Sequence, residues 1–146
     1  MQKSKLSQRN LKTKVVLVGG CFDILHYGHI YFLKKAKRLG DFLVVALESD
    51  ENTKRLKGPK RPIHTQKRRA EMLESLRFVD RVISLPPNPD YELLTKAVKP
   101  DIIACDQEDN LLRNKKVYEN LGAKIVVIPK IKTPSTTQIA KLLKLD

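Results

Sequence analysis

The stretch Val15–Leu33, VVLVGGCFDILHYGHIYFL, decides the fold of this chain. Its first four residues form an apolar run rich in β-branched side chains, which is typical of a strand buried on both faces. Gly19 and Gly20 break this strand, and apolar residues then return at helical spacing. Gly40 stands where a helix C-terminus favours a residue that tolerates positive φ. The stretch therefore predicts a strand, a tight glycine turn and a helix in direct succession.

Two histidines, His26 and His29, flank Gly28 where the predicted helix begins. A helix N-terminus attracts anions through its unpaired backbone N–H groups and the positive end of its dipole. The glycine turn lets a ligand approach the backbone closely, and imidazoles spaced three residues apart point from one helical face. The pattern is consistent with a phosphate site, and also with histidines that lie on the surface or cap the helix.

The segment GGCFDILHYGH, residues 19–29, resembles the G-x-F-D-x-x-H-x-G-H signature of the cytidylyltransferase-like nucleotidyltransferases. The resemblance extends from Lys14 to about Leu143. It implies an HxGH-type nucleotidyltransferase whose nucleotide site includes four further residues of the signature: Gly20, Cys21, Phe22 and Gly28.

The length of the chain indicates its domain organisation, and its charge indicates the kind of partner it binds. A chain of 146 residues suits one domain, which we assign to residues 14–146 after a basic, flexible tail at residues 1–13. The formal charge of +13 indicates an anionic partner, and on charge alone a nucleotide, a nucleic acid or an anionic lipid would serve. Aromatic residues make up only 5% of the chain, with no Trp, which argues against a nucleic-acid binder that stacks bases on rings.

The two cysteines, Cys21 and Cys105, are too few for a disulfide framework or a four-ligand zinc site, so we expect a reducing cytoplasm. No apolar run of about 18 residues and no signal-peptide core is present, so the sequence predicts neither membrane insertion nor export.

Further apolar runs alternate with helical patterns along the chain. The pattern predicts strands at residues 41–48, 81–85, 101–105 and 124–128, helices at 65–76, 91–98, 111–121 and 136–143, and a charged loop at 49–60. Such alternation indicates an α/β fold, a doubly wound, Rossmann-like parallel sheet of five strands with helices on both faces. The family resemblance implies the strand order 3-2-1-4-5.

In a sheet of this order, ligands bind beyond the carboxyl ends of the strands, where the winding reverses between strands 1 and 4. Those two ends are GGCFD and CDQED, so topology selects the histidine segment again and adds Asp106 opposite it. It also predicts that Cys21 and Cys105 lie near one another as buried thiols.

A nucleoside triphosphate attacked at its α-phosphorus needs positioning and positive charge, because pyrophosphate leaves as an anion. We predict that His26 and His29 donate to the phosphates; the helix dipole disfavours a charged imidazole in the empty site, and a bound triphosphate favours it. Lys54 and Lys57, on a loop able to close, would neutralise the phosphates.

The resemblance implies further residues that contact the phosphates. The loop TKRLKG, residues 53–58, is similar to the heptose-phosphate adenylyltransferase branch, and Arg69 falls on an arginine that would contact the leaving phosphates. As an alternative, Arg69 is a surface helix residue. Ser135, Thr136 and Thr137 match the family's S-T-T motif for the β and γ phosphates, and Ser135 with Gln138 also has the form of a capping box.

The remaining polar candidates are acidic. By resemblance Asp106 holds the nucleotide, whereas Asp23 supports its loop or binds the acceptor. Glu108 and Asp109 are weaker candidates for binding acceptor hydroxyl groups. No carboxylate cluster resembles a metal cage, so we expect Mg²⁺ to arrive bound to the triphosphate rather than at a site of its own.

The resemblance implies transfer of a nucleoside monophosphate, AMP from ATP, to a small phosphorylated acceptor with release of pyrophosphate. The segments TKRLKG, VDRVIS and PSTTQI resemble the heptose-phosphate branch, which implies a sugar phosphate of the heptose-1-phosphate type. QKRRAEMLESL and PDIIACDQ resemble archaeal-type FAD synthases, which transfer AMP to FMN. A glycerol-3-phosphate cytidylyltransferase that uses CTP would share the phosphate motifs, and a basic polyanion-binding protein without activity would share the charge. A homodimer is expected from resemblance alone.

Overall fold

The computed structural model describes residues 13–145, and its sheet has five parallel strands in the order β3-β2-β1-β4-β5. These strands are β1 (Val15–Gly20), β2 (Phe42–Leu47), β3 (Arg81–Ser84), β4 (Ile102–Cys105) and β5 (Lys124–Val127). β1 pairs with β2 along its full length, from Val15 opposite Phe42 to Gly20 opposite Leu47. The predicted fold class and strand order are confirmed. Gly19 and Gly20 do not break the first strand as predicted, because both pair with β2 and form the last two residues of β1.

Within residues 13–145, five α-helices lie in the connections between strands and a sixth follows β5. They are α1 (Tyr27–Arg38), α2 (Asp50–Lys57), α3 (Gln66–Glu74), α4 (Tyr91–Val98), α5 (Lys115–Asn120) and α6 (Thr136–Leu142). Side-chain oxygens of Ser49, Thr65, Asp90 and Ser135 cap the starts of α2, α3, α4 and α6.

The sheet is covered on both faces, which is why its strands are apolar throughout rather than alternating. On one face Leu33 and Ala36 of α1 and Leu73 of α3 pack against alternate strand residues. On the other face Val98 of α4 and Tyr118 of α5 pack against the intervening ones. All six residues of β2 are buried, which places that strand in the middle of the core.

Two predicted elements are corrected. Residues 49–60 are not a charged loop, because residues 50–57 form α2, with acidic residues in its first turn and basic residues in its last. The predicted helix at 111–121 is a short 3₁₀ helix, Asn110–Asn114, followed by α5. The predicted tail at residues 1–13 lies outside the described residues, apart from Thr13.

Gly40 is required for a different reason from the predicted one. α1 ends at Arg38 and its C-cap is Leu39, in a right-handed conformation. A Cβ at Gly40 would lie 2.7 Å from the carbonyl oxygen of Lys14, at the start of β1. The glycine is therefore needed because two backbone segments approach closely, not because the helix ends in positive φ.

Candidate active site

A cavity of about 300 Å³ opens at the carboxyl end of β1, beside the reversal point of the sheet. Its walls are the first turns of α1 and α6, the segment that follows β5, and the glycine turn, by which we mean residues 19–23 at the end of β1 and just beyond it. Twelve of the predicted site residues line it: Gly20, Cys21, Phe22, Asp23, His26, Gly28, His29, Lys57, Asp106, Ser135, Thr136 and Thr137.

The two histidines form the N-terminal cap of α1 with each other. The Nδ1 atom of His26 accepts from the backbone N–H of Gly28 at 3.0 Å, and Nδ1 of His29 accepts from the N–H of His26 at 3.4 Å. The rings stack with their centroids 3.9 Å apart. Because a neutral imidazole carries one proton, the acceptor role of Nδ1 leaves Nε2 of His26 as the donor. Capping and ligand binding therefore use different nitrogens of this ring.

Both imidazoles are held neutral. Burial, the neighbouring His26 and the positive charge of Lys57 together lower the pKa of His29 to about 3, against a smaller opposing effect of the Ile24 carbonyl. Burial also lowers the pKa of His26. The lowered pKa values agree with the prediction that the imidazoles are neutral in the empty site. The main cause is burial of the rings, whereas the prediction had named the helix dipole.

Gly28 is small because His26 and the segment before α6 leave no room for a side chain. A Cβ at this position would lie 2.8 Å from Cε1 of His26 and 3.1 Å from Cγ2 of Thr133. Phe22 has a φ of 45°, in the left-handed region, and its ring lies 5.2 Å from that of His29. The turn is thus shaped around the two histidine rings.

The start of α6 faces the start of α1 across the cavity. Ser135 and Gln138 make the predicted capping box: the Ser135 hydroxyl accepts from the N–H of Gln138, and the Gln138 side chain accepts from the N–H of Ser135. The hydroxyl of Thr136 donates to the Ile24 carbonyl at 3.1 Å and so ties α6 to the segment before His26. Two helix N-termini therefore border one cavity.

The two predicted lysines point to different places. Lys57, the last residue of α2, lines the cavity and acts electrostatically on His29 and Cys21. Lys54 instead borders a surface groove with Arg55 and Asn88. Lys54 does not line the cavity, so its contact with the phosphates stays a prediction.

Asp23 is engaged entirely by the protein. One of its oxygens lies 2.6 Å from Nε of Arg61 in an ion pair whose side chains are each 1% exposed. The carboxylate also accepts from the N–H groups of Ile63 and His64. These donors outweigh the cost of burial and hold the pKa of Asp23 below its usual range. This arrangement favours the predicted loop-supporting role over acceptor binding.

Arg69 is neither a surface residue nor part of the cavity wall. Its side chain is fully buried, and its guanidinium donates to the carbonyls of Cys21 and His64 and to Asp50. Every nitrogen of the guanidinium group therefore donates a hydrogen bond within the protein. Both predicted interpretations of Arg69 are corrected: it lies behind the glycine turn and supports it.

The acidic segment after β4 turns away from the cavity beyond Asp106. The exposed carboxylate of Glu108 pairs with Lys130 at 2.6 Å, and the lysine lowers the pKa of Glu108. Asp109 caps the 3₁₀ helix through the N–H of Leu111. Neither Glu108 nor Asp109 lines the cavity, although Lys130, the partner of Glu108, does, so their contact with an acceptor stays a prediction.

Both cysteines are free. Cys21 lines the cavity, and burial raises the pKa of its thiol. Cys105 packs in the core on the far side of the sheet from α1, where burial and the charges of Asp109 and Asp106 raise its pKa to about 11. Both thiols are thus protonated at neutral pH. Their predicted proximity stays a prediction.

Arg61 is one of the cavity residues that were not predicted as site residues. It follows α2 and lies 38 residues from Asp23, its ion-pair partner. The charge run at residues 54–61 gave a weak signal, but nothing local separates this buried arginine from its exposed neighbours. Tyr31 and Phe32 of α1 were missed for a similar reason, because they fit the stripe of a core helix.

Within residues 13–145, no group of three or more His, Cys, Asp or Glu side chains is arranged to hold a metal ion. Over the same residues, no helix is both long and apolar enough to span a bilayer.

The model of the cytidylyltransferase-like family matches residues 17–142. The chain belongs to the cytidylyltransferase-like family. This assignment confirms the nucleotidyltransferase class predicted from the histidine signature.

Among curated relatives, the bifunctional proteins HldE of Campylobacter jejuni strain RM1221 and of Helicobacter hepaticus are each 42% identical, over 133 and 134 residues. The matches cover 90% and 91% of this chain and 28% and 27% of the relatives, so the chain spans little more than a quarter of their length.

Solved structures of similar fold cover the same region. The lipopolysaccharide core biosynthesis protein of Thermoplasma volcanium is 33% identical, with a TM-score of 0.70 over 83% of this chain and 98% of that one. The pantoate-beta-alanine ligase of Francisella tularensis is 18% identical, with a TM-score of 0.66 over 91% of this chain and 65% of that one. At that identity, the ligase shares the fold alone.

Proposed function

We propose that this chain transfers AMP from ATP to a sugar phosphate of the heptose-1-phosphate type and releases pyrophosphate. The observation that carries the proposal is the pair of helix N-termini, α1 with its two histidines and α6 with its hydroxyl row, on either side of one cavity. Anions bind at such termini, and a triphosphate presents charges to both.

In this reaction an oxygen of the acceptor phosphate attacks the α-phosphorus of ATP, and the bond to the bridging oxygen of pyrophosphate breaks. His26, through its Nε2–H, donates to the triphosphate from the α1 side. The hydroxyl groups of Ser135 and Thr137 and the first N–H groups of α6 bind the β and γ phosphates. Lys57 supplies positive charge over the opening between the two tips.

His29 acts as the proton-linked residue of the site. Its pKa of about 3 keeps it neutral in the empty cavity, where the charge of Lys57 opposes protonation. A bound triphosphate reverses that local charge, so the pKa of His29 rises and ATP binding adds a proton at Nδ1, which then no longer accepts from the N–H of His26. A charged imidazolium then stabilises the negative charge that builds on the leaving pyrophosphate.

The sugar-phosphate acceptor is supported by identity to the bifunctional HldE proteins and to the lipopolysaccharide core biosynthesis protein, together with the motifs TKRLKG and PSTTQI. We propose that Asp106, at the cavity edge, holds the nucleoside. Family members use a divalent metal with the triphosphate; we propose Mg²⁺, carried into the cavity as part of the substrate, and a cytoplasmic reaction. The homodimer expected from resemblance stays a prediction.

A pyrophosphate-release assay tests the proposal. The chain is incubated with Mg²⁺, ATP or CTP, and in turn a heptose 1-phosphate, FMN and glycerol 3-phosphate, with acceptor-free reactions as the control. We expect release with ATP and the sugar phosphate. Release only with FMN would show that FMN is the acceptor. Release only with CTP and glycerol 3-phosphate would show that both the nucleotide and the acceptor differ from those proposed. No release, combined with polyanion binding that weakens steeply with salt, would identify a binding protein instead.

A further inference from the structure

One guanidinium behind the cavity joins three segments that are far apart in sequence. Nη1 of Arg69 donates to the Cys21 carbonyl at 2.6 Å, Nε to the His64 carbonyl at 3.0 Å, and Nη2 to Asp50 at 2.7 Å. These partners belong to the glycine turn, the segment before α3, and the first turn of α2. Arginine suits this position because its planar fork makes three directed bonds at once, which an ammonium group cannot reproduce.

The hydrogen bond from Arg69 to Asp50 fixes the position of the first turn of α2 relative to the glycine turn. Asp50 is the first residue of this helix and Lys57 is the last, so the two lie about 10 Å apart on one rigid rod of eight residues. The start of the rod is fixed to the guanidinium of Arg69, which is itself fixed to the glycine turn. The far end carries the lysine that reaches the cavity.

We infer that Asp50 and Arg69 are positioning residues that act on substrate through Lys57. This inference rests on the proposed function, in which Lys57 contacts the triphosphate. Neither residue lines the cavity, so neither touches the phosphates directly. They set the distance of the Lys57 ammonium group from the two helix tips by holding α2 against the turn that leads into α1.

The exposure of the two partners makes the inference testable. Arg69 is fully buried, and its removal leaves a cavity and unpaired carbonyls, which risks unfolding. The Asp50 side chain is 46% exposed, so Asp50→Ala leaves the packing intact and breaks one bond. Asp50→Asn keeps an oxygen that accepts from Nη2 and loses the charge, and Glu51→Ala, at the next residue of α2, is the matched control.

A double-mutant cycle on the KM for ATP is the first test. We expect Asp50→Ala to raise KM about tenfold, Asp50→Asn to recover part of that loss, and Glu51→Ala to have no effect. In a Lys57→Ala background Asp50→Ala should add almost nothing, whereas with Thr137→Ala on α6 the two effects should multiply. Multiplicative effects of Asp50→Ala and Lys57→Ala would overturn the inference, because a merely structural role is independent of the lysine.

Amide hydrogen exchange in the absence of ATP is the second test, and it does not depend on activity. We expect Asp50→Ala to accelerate exchange at residues 54–60, at the Lys57 end of α2, relative to Glu51→Ala. Unchanged exchange there would overturn the inference whatever the chain catalyses. A wild-type chain that releases no pyrophosphate would count against the proposed function, and the exchange result would still decide the role of Asp50.

Discussion

At the residue scale, the two histidines combine a structural and a chemical role. Their Nδ1 atoms accept backbone N–H groups at the start of α1, which locks both rings in place before any ligand arrives. For His26 this fixes Nε2–H as a preorganised donor, which needs no reorganisation during the reaction and therefore stabilises developing charge effectively. The sequence predicted the pair and its place on the helix, but the division of labour between the ring nitrogens emerges only from three-dimensional geometry.

His29→Ala tests the chemical role. We expect the rate of pyrophosphate release to fall by on the order of 100-fold or more, because charge stabilisation of the leaving group is lost. His64→Ala is the matched control, since His64 does not line the cavity. Steady-state kinetics with ATP and the sugar phosphate measure both variants. A His29→Ala rate within a few-fold of wild type would contradict the role.

The low pKa of His29 makes folding stability depend on pH. A pKa of about 3 in the folded chain lies below the value near 6.5 of an unfolded histidine, so the unfolded chain binds the extra proton first. The contribution of His29 is complete above about pH 6.5 and is lost as pH falls toward 3.

We predict that lowering the pH from 7 to 5 reduces the free energy of unfolding by about 2 kcal/mol through His29 alone. Urea unfolding of wild type and His29→Gln at the two pH values measures the difference. The glutamine variant should lose less stability than wild type over this range. An equal loss in both proteins would show that His29 does not carry the effect.

At the element scale, the site depends on how α1 and α6 begin. The Thr136 hydroxyl connects the α6 start to the Ile24 carbonyl, just before α1, so the two tips are held as one unit. The Ser135 hydroxyl has two roles in this account: it caps α6, and we propose that it also binds phosphate. A substitution that keeps the cap and adds a negative charge separates these roles.

Ser135→Asp and Ser135→Ala form a matched pair for this purpose. Alanine removes the cap and should reduce the free energy of unfolding by about 1 kcal/mol. Aspartate caps as well as serine and should keep the stability, yet its negative charge should repel the triphosphate and weaken ATP binding more than alanine does. Thermal unfolding and calorimetric titration with ATP measure the two effects. Undiminished ATP affinity in Ser135→Asp would exclude α6 from the phosphate site.

At the scale of the whole molecule, the buried strands were enough to predict a parallel sheet, and the family resemblance supplied its strand order. A fully buried run such as β2 has few competing structures. The predicted break at Gly19 was wrong, because glycine pairs in a strand as readily as it turns. α2 was missed because its sequence, DENTKRLK, lacks an apolar stripe; the Ser49 cap, its charge pattern and the Asp50 ion pair stabilise it instead.

The long-range polar contacts could not be predicted from sequence. Arg69 and Asp50 are 19 residues apart, and Arg61 and Asp23 are 38 apart, so no local period relates them. A buried arginine also looks like an exposed one in a sequence with 29 Lys and Arg residues. Eleven of the twelve predicted residues that share the cavity follow from the two strand ends and two helix starts, and Lys57 alone among the twelve was assigned by loop charge. The other residues assigned by loop charge or analogy lie elsewhere: Lys54, Arg69, Glu108 and Asp109.

The central claim is that a triphosphate is bound between the first turns of α1 and α6. Its most direct measurement is amide chemical-shift mapping of the ¹⁵N-labelled chain during titration with Mg²⁺ and a non-hydrolysable ATP analogue. The account predicts saturable shifts concentrated at the N–H groups of Gly20, Gly28, His29, Thr136 and Thr137. Saturable shifts confined to residues outside these two helix starts would contradict it.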